Sequence, residues 1–63
     1  MPRTDAEYRA ILTAKKLPPA PVGVVTDARW VAGQGDWYVC VGEQWYWLDP
    51  RGTPQWKRTS FEP

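Results

Sequence analysis

Hydrophobic spacing changes its period once along the chain. Tyr8, Ile11 and Leu12 fall at i, i+3 and i+4, the narrow apolar stripe of an amphipathic helix. Thr4-Asp5-Ala6-Glu7 opens that stretch with capping-box spacing, a hydroxyl and a carboxylate three residues apart. Asp5 and Glu7 suit the positive dipole end, and Lys15 and Lys16 suit the last turn. Ala6, Ala10 and Ala14 add helix propensity, and Asp5 and Arg9 form an i,i+4 pair. Leu17-Pro18 ends the helix, because a residue before proline avoids the α region. The helical unit is therefore expected over 1–17. A helix of roughly 12 residues is marginal alone, so it must dock on a sheet or a neighbour.

Residues 18–27 read as an extended linker. Pro18-Pro19-Ala20-Pro21 favours stiff polyproline II, and Val22–Val25 continues it or starts a short strand. From Ala28 the period becomes two. Ala28–Ala32, Trp37–Val41, Trp45–Leu48 and Pro54–Arg58 read as strands, each bounded by Gly or Pro. Their short loops predict an antiparallel meander over 28–58, with Pro54 opening an edge strand. The tail 59–63 is expected to fray. The fold class is α+β: a short N-terminal helix, a proline-rich extended arm, and three to four antiparallel strands.

Alternation places Trp37, Val39 and Val41 on one face of the second strand, and Tyr38 and Cys40 on the other. Trp45 and Trp47 oppose Tyr46 and Leu48 in the same way. Both faces are apolar, unlike a half-solvated sheet. One short helix covers one face. The other must close on itself, be covered by the linker, or meet another chain.

Size sharpens this. The 63 residues form one small domain, which normally needs a staple. A single cysteine, Cys40, cannot make an internal disulfide, and with no His a conventional zinc site is not expected. Five Trp, three Tyr and one Phe leave aromatic packing and a partner as the available devices. A net charge of +1 offers no polybasic footprint, so nucleic acid is not expected. No apolar run nears the ~20 residues of a membrane span, and the Met1–Asp5 start has no signal-peptide h-region. The default compartment expected is the cytosol, or something assembled there.

Candidate chemistry is sparse. Cys40 lies mid-strand without a His to activate it, so it reads as a buried hydrophobe. Asp36, Glu43 and Asp49 fall at turns, where backbone geometry accounts for them. No catalytic residue, cofactor or metal is expected, and the chain reads as a non-enzyme. Trp30, Trp37, Trp45, Tyr46, Trp47 and Trp56 are the residues expected to carry core and interface. Arg29 and Arg51 stand beside them, with Tyr8 and Leu12 on the helix and Pro18 and Pro19 in the arm.

The run Gly35–Asp49, with Gly52 and Trp56, resembles an aromatic β-hairpin module recurrent in bacteriophage tail, fibre and head-associated proteins. That module reads roughly GD.Y.V…G..Y.WDG..W. Here its Asp-Gly turn is widened by two residues at Asp49-Pro50-Arg51-Gly52. The resemblance covers residues 35–58 and implies a virion structural or host-surface-contacting role, such as a minor capsid, decoration or tail protein. Other virion subunits are then the expected partners, contacted through the aromatic sheet and the N-terminal arm. Gly35-Asp36, Gly42 and Trp45 are also similar in spacing to small chitin-binding modules, which makes a glycan partner the alternative. An adaptor gripping a host protein through the proline-rich arm is the third.

Overall fold

The computed structural model describes residues 3–63, and Met1 and Pro2 of the expected 1–17 unit lie outside them. Helix α1 (Asp5–Ala14) is followed by strands β1 (Val25–Val31), β2 (Asp36–Val41), β3 (Gln44–Asp49) and β4 (Gln55–Thr59). The strands form one antiparallel sheet in the order β1-β2-β3-β4.

The capping box forms as the sequence predicts. Glu7 N donates to Thr4 Oγ1 at 3.2 Å, and Thr4 N donates to Glu7 Oε1 at 3.3 Å. The helix ends earlier than expected. Lys15 is its C-cap, so Lys15 and Lys16 lie past the last turn. Lys16 N bonds Thr13 O and Leu17 N bonds Leu12 O, the paired bonds of a Schellman ending. Lys16 takes the left-handed position at φ 60, where glycine is usual.

The first strand begins at Val25, three residues before the expected start at Ala28. Partners remote in sequence recruit those residues. Val25 N donates to Asp5 Oδ1 at 2.7 Å, and Gly42 N donates to Val24 O at 3.0 Å. A register shift between Val25 and Asp27 absorbs the extra residue. The β2–β3 hairpin has a two-residue loop, Gly42-Glu43, with Gly42 at φ 62. That Gly-X order suits a tight hairpin turn, because glycine takes a positive φ without steric cost.

The register sorts the two faces. Ala28, Val39, Tyr46 and Arg58 form a row across all four strands, and Arg29, Tyr38, Trp47 and Lys57 form the next. The first row faces α1, because Val39 joins Tyr8, Leu12, Ala20, Val25 and Val41 in the core. The second row points the other way. α1 packs over β1, and Ile11, Leu17, Trp37, Tyr46 and Trp56 rim the core.

Residues 18–24 form neither helix nor strand, and they are bound to the chain's own helix and sheet. Trp56 Nε1 donates to Pro18 O, and Ala20 is buried. Arg9 donates to Ala20 O, Pro21 O and Gly23 O while holding Asp5 at 3.0 Å. The expected i,i+4 pair is thus the node that ties helix, linker and β1 together. The tail carries a contact of its own. Phe61 packs on Tyr38 with ring centroids 5.3 Å apart, and Phe61 N donates to Thr59 Oγ1. An aromatic two residues past the last strand has the still-open sheet face within reach.

Candidate interaction surfaces

The twelve residues singled out from the sequence do not converge on one site. Tyr8 and Leu12 are buried against the chain's own sheet, so they serve the core and leave no contact surface. Trp30 and Trp37 meet edge to face at one end of the sheet, ring centroids 6.2 Å apart, with Trp30 53% exposed. On the open face, the Arg29 guanidinium lies 5.7 Å from the Trp45 ring centroid and also pairs with Asp27. Trp47 stands in the same cross-strand row as Arg29, two strands away and half-buried. Arg51 turns back onto the carboxylate of Asp49 at the end of β3.

Pro18, Pro19, Tyr46 and Trp56 do come together. With Pro21, Pro54, Gln55, Lys57 and Arg58 they line an open groove of about 650 Å³ along β4. The reason is local. α1 covers the β1 side of the sheet, and the linker reaches the β4 side only as far as the Trp56–Pro18 bond. Beyond it the aromatic surface stays uncovered.

Three properties describe this groove. Its walls are proline and aromatic rings, preorganised surfaces that lose little entropy on contact. No acidic side chain lines it, and Arg58 has no ion pair among the described residues. Its outer wall is an edge strand with no backbone partner beyond β3 among the described residues. Edge strands present unpaired N–H and C=O groups to any extended chain.

Sequence reasoning missed Asp49, which it took for a turn former. Asp49 is 2% exposed at the end of β3. Its Oδ1 accepts from Arg51 N at 3.0 Å and Arg51 Nε at 2.9 Å. Its Oδ2 accepts from Arg51 Nη2 at 2.9 Å and Lys57 Nζ at 2.7 Å. These donors, Arg51 first, hold the carboxyl well below the usual carboxylate range. The cluster fixes the widened β3–β4 loop and so places Pro54 and Gln55 at the groove's end. The signal was present as Asp49, Arg51 and Lys57, but their meeting depends on strand register.

No protein-family model, curated protein sequence or solved structure matches this chain. Among the described residues, no helix is long and apolar enough to cross a membrane.

Proposed function

We propose that this chain is a non-enzymatic interaction protein, a small virion structural component that docks on a neighbouring subunit through the β4 groove. The observation that carries the reading is that groove itself: proline and aromatic walls, no acidic lining, and a free strand edge. Extended segments bind strand edges through main-chain hydrogen bonds, and side-chain pockets supply the specificity. The partner segment is extended, apolar where it meets Tyr46 and Trp56, and acidic beside Arg58. The virion assignment draws support from the hairpin resemblance over residues 35–58. Location in the virion or host cytoplasm follows from that assignment.

Two experiments test it. Mass spectrometry of purified particles should find the chain in stoichiometric amount; finding it only free in lysate removes the virion role. Peptide display should enrich acidic, apolar sequences that lose affinity for Arg58→Glu. Selected peptides that bind this variant equally well would remove the groove.

A further inference from the structure

A second concavity lies on the opposite face, where the tail turns back over the sheet. Gln34, Asp36, Tyr38, Trp47, Thr59 and Phe61 line a pocket of about 300 Å³. Three of its walls are aromatic. Trp47 sits beside Tyr38 in the row across the strands, and Phe61 closes over Tyr38 from the tail. The Tyr38 and Phe61 rings are tilted by 53°, so they form a corner and not a flat platform.

Charge distinguishes this pocket from the groove. No Lys or Arg lines it. The cations that flank the same row are already held, Arg29 by Asp27 and Lys57 by Asp49. The one ionisable carboxyl in the lining, Asp36, has no ion pair and no side-chain hydrogen bond among the described residues. The three other aspartates, Asp5, Asp27 and Asp49, are each paired with a cation.

Aromatic faces carry negative potential and attract a cation lying within about 6 Å of the ring centroid. A free carboxylate at the rim adds Coulomb attraction. A primary ammonium would forfeit strong hydration to enter. A trimethylammonium group is weakly hydrated and offers methyl surface to every ring it touches. A sugar would be served better by coplanar rings than by a tilted corner.

We propose that this pocket is an aromatic cage for a trimethylammonium group, carried by choline or by a trimethylated lysine. Tyr38, Trp47 and Phe61 form its walls, and Asp36 supplies the counter-charge. The proposal stands independently of the β4 groove, since the two concavities share no lining residue.

The test is a titration of the isotope-labelled full chain, followed at the indole N–H of each Trp. The probes are choline chloride, trimethyl-lysine and dimethylbutanol, the uncharged carbon analogue of choline, all at matched ionic strength. Choline or trimethyl-lysine should shift Trp47 with a Kd of about 1 mM, the range expected for a few weak contacts to a small ligand. The better of the two identifies the source. Dimethylbutanol should bind about tenfold more weakly or worse, as loss of the cation–π and carboxylate attraction requires. Asp36→Asn, nearly isosteric, should weaken choline several-fold. Phe61→Ala, at an exposed tail position, should do the same with the rest of the spectrum unchanged. Equal binding of choline and dimethylbutanol, shifts confined to Trp30 or Trp56, or no shift with either cation would each overturn the cage.

Discussion

Trp56 Nε1 donates to the Pro18 carbonyl at 3.0 Å, joining the last strand to the linker across 38 residues. This bond ties the linker to β4, and Pro18, Pro19 and Pro21 line the groove beside it. Trp56→Phe keeps the aromatic wall and removes the donor. A loss of about 1 kcal/mol in urea unfolding is expected, the ordinary net worth of one hydrogen bond. Amide exchange at Leu17, whose N–H donates to Leu12 O just before Pro18, should quicken in the same variant. Unchanged stability and exchange would mean the bond does not hold the linker.

Arg9 should prove more sensitive than an ordinary helix-surface arginine. Its guanidinium serves three linker carbonyls and Asp5 together, which a lysine ammonium cannot match. Arg9→Lys is expected to cost about 1–2 kcal/mol, as for lost charge-assisted hydrogen bonds at a partly exposed site. Thermal unfolding of the full chain checks this. A cost equal to that of Arg58→Lys, an arginine without an ion pair among the described residues, would contradict the node.

Two backbone positions have opposite expectations. Lys16 is left-handed at φ 60, so Lys16→Gly should stabilise the helix end by about 0.5–1 kcal/mol. Gly23 sits at φ 134, and a Cβ there would lie 2.6 Å from Val41 Cγ1. Gly23→Ala should therefore destabilise by about 1–3 kcal/mol through strain and overpacking. Denaturant midpoints of the two variants decide both.

Stability should fall in acid for a specific reason. Asp49 is held below its ordinary pKa by Arg51 and Lys57, and Asp5 chiefly by the Val25 amide, with Arg9 adding to it. In the unfolded chain both carboxyls titrate at about 3.8. Between the unfolded and folded pKa values the unfolded state binds more protons, so stability rises with pH there. The contribution is complete above about pH 5 and drains away as pH falls through and below 4. Asp49→Asn should flatten that acid limb and lower Tm by several degrees at neutral pH. An unchanged limb would remove Asp49 from the explanation.

Local signals in the chain proved legible. The Thr4–Glu7 capping box, the turn glycines and the period-two runs specify α1 and the four-stranded meander, because each acts within a few residues. What escaped depends on partners far along the chain. Val25 becomes a strand residue through Asp5 and the Val24–Gly42 bond. Phe61 packs on Tyr38, and Asp49 is buried by Arg51 and Lys57. The aromatic residues were visible as a group. Their division among core, groove and open face required the register and the linker path.

Amide hydrogen exchange on the chain, free and bound to an acidic, apolar peptide selected on it, tests the proposed docking surface most directly. Gln55–Thr59 should gain protection on binding, with the Trp56 indole protected as well, while α1 stays unchanged. Protection gained on α1 or along Arg29–Trp45, with β4 unaltered, would contradict docking through the β4 groove.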